Sequence, residues 1–216
     1  MNRRLFLMSS GAVALARPAL AAPLPVPPSG RIGFKVLRNG TPIGEHHLIF
    51  TQSGDTLRID IHAAFLVRLA GIPFFRYTAR ATEVWSGGVF QGIDSQVNDD
   101  GKHLEVHAER VAQGYAISGT HVPLYLGPPN TLPLTYWNKA MLDGIILNVQ
   151  TAHSYPATVR SPGWNRLPTA DGGTVVAQRF NVTGKLHLSV WYDQYEQWSG
   201  LAFHVHGYET YEKLPA

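Results

Sequence analysis

From Leu57 to Val67 the chain alternates. Leu57, Ile59, Ile61, Ala63, Phe65 and Val67 share one parity, and Arg58, Asp60 and His62 take the other. Successive side chains of a strand point to opposite faces, so this spacing predicts a strand with one apolar face and one polar face. The pattern recurs at Leu104, Val106 and Ala108 against His103, Glu105, His107 and Glu109. It recurs again at Leu186, Leu188, Val190 and Tyr192 against His187, Ser189, Trp191 and Asp193. Turn signals separate the runs at Asn39-Gly40, Ser53-Gly54-Asp55, Ser86-Gly87-Gly88, Asp99-Asp100-Gly101, Gln113-Gly114, Asp171-Gly172-Gly173 and Thr183-Gly184. Spacings of roughly 8–14 residues with hairpin turns predict an all-β antiparallel meander rather than strands crossed by helices. A meander of about ten strands hides its edges by curling into a barrel or half-barrel, which encloses an apolar space wherever inner side chains do not fill it. The exception is the proline-rich stretch from Val122 to Leu134 and the residues after it. There Thr135 to Leu142 predicts one short helical turn, with Thr135 as its cap.

The first residues change how the composition is read. Arg3-Arg4 precedes an apolar run from Leu5 to Ala16, about a dozen residues where a membrane span needs roughly 20. Ala19-Leu20-Ala21 supplies the small-x-small pattern of a cleavage site, so residues 1–21 are expected to be a removed signal peptide, with Ala22 as the mature start. Formally the chain carries 18 basic and 15 acidic residues, and Arg3, Arg4 and Arg17 lie in that leader. The mature chain is therefore neutral, which argues against a nucleic-acid partner. There is no cysteine, hence no disulfide and no thiolate chemistry. Residues 22–30, with four prolines, read as a tether, and 31–216 as a single β-rich domain. No later apolar run is long enough to span a membrane. These features predict a soluble periplasmic or secreted protein.

Candidate chemistry is sparse. Glu83 shares its parity with Phe75, Tyr77, Ala79, Ala81 and Trp85, and a carboxylate on an apolar face has a raised pKa unless paired, which suits acid–base work. The alternative is a strand-end residue reaching solvent beside the Ser86-Gly87-Gly88 turn. With the turn centred on Gln194-Tyr195, Trp191 faces Trp198, and His187, His204 and His206 form a weak candidate metal cluster near two indoles. The row His103, Glu105, His107 and Glu109 is a second candidate. For both rows an amphipathic strand explains the spacing as well. No nucleophile elbow, phosphate loop or dinucleotide fingerprint occurs, and no cofactor is expected.

The leader resembles a twin-arginine export signal at Arg3, Arg4, Phe6 and Leu7, with Asn2 and Met8 departing from it, which implies the twin-arginine machinery as an export partner. Four stretches resemble an exported proteobacterial family of unknown function. They are Phe34 to Gly44 with its Asn-Gly-x-Pro-Ile-Gly turn, Glu83-Val84-Trp85-Ser86-Gly87-Gly88, Tyr136-Trp137-Asn138 with Leu147 to Thr151, and Trp191-Tyr192-Asp193 with Trp198. Ala152 departs where the resemblance leads us to expect glycine. The resemblance implies a β-rich exported domain and carries no activity. Trp137, Asn138, Gln150 and Thr151 would then be structural pins or would line a pocket. More loosely, the pattern is similar to periplasmic lipid carriers.

The expected function is binding or carrying an apolar small molecule or lipid, with Tyr77, Glu83, Trp85, Tyr136, Trp137, Asn138 and Trp191 as candidate ligand contacts. One rival is an enzyme with Glu83 as acid–base, helped by Tyr77, Trp137, Asn138 or a histidine. Another is a structural or assembly partner.

Overall fold

The structure is a computed structural model that describes residues 23–205 and 207–215. The predicted leader and His206 lie outside the described residues. The alternating runs form β1 (Arg31–Arg38), β2 (Thr41–Ser53), β3 (Thr56–Leu69), β4 (Ile72–Ser86), β5 (Val89–Asp99), β6 (Lys102–Val111), β7 (Gly114–Gly119) and β8 (Val122–Gly127), each paired antiparallel with the next. The chain then builds a small sheet from β9 (Thr131–Pro133), β10 (Ile145–Leu147) and β11 (Ser154–Pro156), with a 3-10 turn at Lys139–Asp143. It returns through β12 (Thr158–Pro168), β13 (Thr174–Thr183), β14 (Leu188–Tyr192), β15 (Trp198–His204) and β16 (Tyr208–Lys213). Because β16 pairs with β1, both runs join in one 13-stranded sheet whose ends are β12 and β8. Among the described residues no ladder joins those ends. The protein is all-β, a curled sheet closed by packing.

The curl brings the apolar parity of β1 to β6, with residues of β14 to β16, to one interior. Phe34, Leu48, Ile59, Phe90, Trp198 and Tyr211 share a single buried cluster. The small sheet is the plug: Leu134, Trp137, Met141, Leu142, Ile146 and Leu147 belong to the same cluster. Each fully buried side chain of this size contributes about 1.5–3 kcal/mol, so the insert is held by its own apolar residues. Its 3-10 turn begins later than predicted. Asn138, not Thr135, is the cap, its side-chain oxygen accepting from the Ala140 amide at 3.0 Å. Thr135 is free for another role.

Two further features differ from the sequence reading. The proline stretch does not hang free: Leu24 and Val26 pack on the core, and Gln197 Nε2 donates to the Pro25 carbonyl at 3.0 Å. In the β14–β15 hairpin a bulge pairs Trp198 with Tyr192 and sets Trp191 opposite Gly200, so the two indoles do not face each other. Trp191 instead packs with Ala177, Ala202 and Leu167 in a separate cluster.

The turn at Ala70-Gly71 escaped the composition signals. Its φ values, 50° and 82°, match those of Asn39-Gly40 (51°, 79°) and Asp100-Gly101 (51°, 91°). Two consecutive positive φ values define the hairpin turn that favours Asn-Gly or Asp-Gly. Alanine in the left-handed region is strained. Ala70→Asn is therefore expected to raise folding stability by about 0.5–1 kcal/mol, read as a shifted urea midpoint with an unchanged m-value. Ala152 also sits at positive φ, 60°, so its tight turn forms without glycine. Its methyl is fully buried, and Asn148 Oδ1 holds the loop by accepting from the amides of Gln150 and Thr151.

Candidate functional site

Strand register arranges the interior in rows about 7 Å apart. The uppermost pairs Phe65, Tyr77 and Asp99 across β3, β4 and β5. Below it lie His46, Ala63, Ala79 and Val97, then Leu48, Ile61, Ala81 and Ser95, then Phe50, Ile59, Glu83 and Ile93. In the row of Phe50, Ile59, Glu83 and Ile93 the side chains meet the plug, Phe50 lying edge-on to Trp137 with ring centres 5.3 Å apart, and the interior is solid. Where the rows hold Ala63, Ala79, Ala81 and Ser95, the side chains are too short to reach.

The result is a cavity of about 470 Å³, within the usual size of small-molecule sites. Its floor is Ala81, Ser95 and the plug residues Leu134, Thr135 and Tyr136, and its walls include Phe65, Phe203, Leu188 and Tyr211. Its mouth lies among the turns at one end of the sheet, where Arg38, Asp99, Lys185, His187, His204 and Glu209 are found. Arg38 and Glu209 are paired at 2.6 Å, and the Arg38 guanidinium also lies 5.3 Å from the Phe75 ring centre.

The phenols and the imidazole that line the cavity are neutral. Burial pushes the phenols of Tyr77, Tyr136 and Tyr211 well above their ordinary value, with smaller effects between neighbouring phenols. His46 packs edge-on to Trp198 and Tyr211, with ring centres 5.4 and 5.8 Å away. Burial, and secondarily the neighbouring His47, lowers its pKa to about 3, and neither ring nitrogen has a hydrogen-bond partner. A buried imidazole left without partners is costly, and His46 belongs to the cavity lining.

Glu83 lies one row below the floor, fully buried and outside the lining. Its carboxylate accepts from Trp85 Nε1 at 2.6 Å and from Trp137 Nε1 at 3.2 and 3.1 Å, and it also hydrogen-bonds the Thr135 hydroxyl. Desolvation outweighs these three bonds and lifts its pKa to about 7. The arrangement ties β4 to the plug.

The structure thus gathers Glu83, Trp85 and Trp137 beneath the cavity and places Tyr77 and Tyr136 in its lining, while Asn138 caps the 3-10 turn. Gln150 joins the lining from the plug side. Trp191 lies apart; its Nε1 donates to Asn165 Oδ1 at 3.2 Å. His187 and His204 both line the cavity near its mouth, and His206 lies outside the described residues. Among the described residues no three His, Cys, Asp or Glu side chains are placed to hold a metal ion. In the row from His103 to Glu109, His107 pairs instead with Asp94 at 2.7 Å. That row borders a wider cleft of about 720 Å³ on the outer face, lined by Glu45, His47, His62, Arg80, His103 and Glu105. It is the solvated parity of β2 to β6. Sequence reasoning missed His46 and the role of the alanines. The signal for the latter was present, since Ala63, Ala79 and Ala81 sit at inward positions where neighbouring strands carry large residues.

No curated protein sequence matches this chain. A crystal structure of a beta-barrel-like protein of domain of unknown function DUF1849 from Brucella abortus is similar over 85% of this chain and 94% of its own, with a TM-score of 0.58 at 8% identity. That likeness shows the beta-barrel-like fold. The sequence profile of the domain of unknown function DUF6134 matches residues 34–214, nearly the whole curled sheet, and the chain belongs to that family.

Proposed function

We propose that this protein binds an apolar small molecule or lipid in the cavity inside the curled sheet. The observation that carries the reading is the patch of Ala63, Ala79, Ala81 and Ser95, which leaves a space walled by aromatic and aliphatic side chains. Large inward side chains would fill it, as they do one row lower. The neutral His46 and tyrosines favour an uncharged body with few polar atoms, and the charged residues stand only at the mouth. The signal-like sequence of residues 1–21 supports binding outside the cytoplasm, in the periplasm or beyond. Acid–base catalysis by Glu83 has no support from the geometry, because the carboxylate is sealed beneath the floor by two indoles.

Titration of the purified protein with a fluorescent apolar probe such as N-phenyl-1-naphthylamine tests this. Saturable binding near one equivalent, displaced by fatty acid or by lipid extracted with the native protein, is the expected result. No saturable binding and no co-extracted lipid would reject it.

A further inference from the structure

The β3–β4 hairpin outruns both of its neighbours. Its pairing with β2 ends at Gly44–Phe65, and its pairing with β5 ends at Tyr77–Asp99. Beyond those points only the hairpin's own ladder continues, through Leu66–Arg76, Val67–Phe75, Arg68–Pro73 and Leu69–Ile72. Residues 68–74 therefore project beyond the sheet as the tip of a two-stranded finger, whose base is held where Val67 packs on the core and the Arg76 carbonyl accepts from the Asp100 amide at 2.8 Å. Its base is part of the cavity mouth, where Phe65 stacks on Tyr77 with ring centres 5.2 Å apart and Phe75 lines the cavity.

The finger's tip is apolar and exposed. Leu69, Ile72 and Phe74 are 67%, 70% and 69% exposed, an arrangement that water disfavours. Two independent features say the exposure is built in. The turns at Asn39-Gly40 and Asp100-Gly101, at the same end of the sheet, put a polar residue at the first left-handed position, whereas the finger puts Ala70 there. Backbone strain is accepted and the two turn residues carry no polar side chain, the only polar group reaching them among the described contacts being the Arg68 guanidinium, which donates to the Gly71 carbonyl at 3.1 Å. The charge is also one-sided: Leu66 to Arg76 holds Arg68 and Arg76 and no acid, although the chain after residue 21 has equal numbers of both signs. Asp99 and Asp100 stand at the finger's base on the β5 side, and the Arg76 amide donates to Asp100 Oδ1.

We infer that this finger docks on the surface of a lipid bilayer bearing anionic headgroups, with Leu69, Ile72 and Phe74 inserted among the acyl chains and Arg68 and Arg76 against phosphates. Three side chains fall short of the roughly 800 Å² per partner that a stable protein interface buries. A small apolar wedge with adjacent cations does suit interfacial insertion. Docked this way, the cavity mouth faces the membrane, and an apolar ligand enters or leaves without crossing water. The loading step rests on the proposed cavity function; the docking itself does not.

Flotation of purified protein with vesicles of 30% phosphatidylglycerol in phosphatidylethanolamine, against vesicles of phosphatidylcholine alone, tests the docking. The protein is expected to float with the anionic vesicles, less so as salt rises. The variant Leu69→Ser/Ile72→Ser/Phe74→Ser is expected to lose at least tenfold in partitioning, and Arg68→Ser/Arg76→Ser several-fold with a flatter salt dependence. Should the triple variant fail to fold, Ile72→Glu alone gives the same readout. Probe titration without vesicles reports the cavity separately and is expected to be unchanged in these variants. Wild-type protein that stays unbound with every vesicle, or finger variants that float as well as wild type, would overturn the inference. So would a concentration-dependent dimer that the triple variant abolishes in the absence of vesicle binding, which would assign the finger to a second copy of the chain.

Discussion

Glu83→Ala is expected to lower folding stability by about 3–5 kcal/mol, measured by urea unfolding at pH 6. The carboxylate is the acceptor for the indole N–H groups of Trp85 and Trp137, both buried. Removing it leaves two donors with nothing to bond and opens a hole between β4 and the plug. An unsatisfied buried donor costs about 1–3 kcal/mol, and the lost packing adds to that. The plug should loosen first, seen as faster hydrogen exchange in residues 131–147. A loss below about 1 kcal/mol would show that Glu83 does not join the plug to the sheet.

The same residue makes a pH prediction with a definite sign. Burial raises the Glu83 carboxyl from its ordinary 4.5 to about 7. Between those values the native protein holds a proton that the unfolded chain has released. Stability from this group is therefore full below pH 4.5 and falls as pH rises through 7, by about 3 kcal/mol in all. His46 acts in the opposite direction. Its pKa is lowered from 6.5 to about 3, so stability is lost as pH falls from 6.5 towards 3. The two slopes oppose each other between pH 4.5 and 6.5. Glu83→Gln removes one of them, and the variant's stability should climb with pH across that window relative to wild type. Parallel profiles for the two proteins would refute the raised carboxyl pKa.

The second large effect concerns the cavity. Ala81→Phe places a phenyl ring on the floor, beside Ser95 and Tyr136, in space the alanine leaves open. Apolar-probe affinity should fall at least about tenfold, equivalent to 1.4 kcal/mol, while folding stability falls by no more than the roughly 1–3 kcal/mol of overpacking. Ala79→Leu, one row nearer the mouth, should act in the same direction more weakly. Undiminished probe binding in both variants would place the probe elsewhere and remove the support for an internal site.

Much of this architecture is legible along the chain. Alternation and turn residues announce an all-β meander, because the two-residue period of a strand is a local property of the backbone. Glu83 and Trp85, two positions apart, are predicted to share a face and do. Other features have no local signature. Trp137 and Thr135 reach Glu83 only because the plug folds into the curl, and no spacing in the sequence encodes a contact between residues 54 positions apart. The bulge between Trp191 and Tyr192 moved Trp198 to the other partner, since one extra residue reverses which face a side chain takes. His46 reads as one polar residue in a half-polar strand until Trp198 and Tyr211 close over it.

By itself the sequence determined the all-β meander, the inward parity of the strands that alternate without a bulge, the neutrality of the chain after residue 21 and the isolated acid among apolar neighbours. Each follows from forces that act within a few residues. Tertiary structure alone decided that short inward side chains from β3, β4 and β5 fall side by side, that the space above them stays open while the row below is filled, and that one hairpin projects beyond its neighbours. Those outcomes depend on register between strands and on where a plug stops, which are set by packing across the whole sheet.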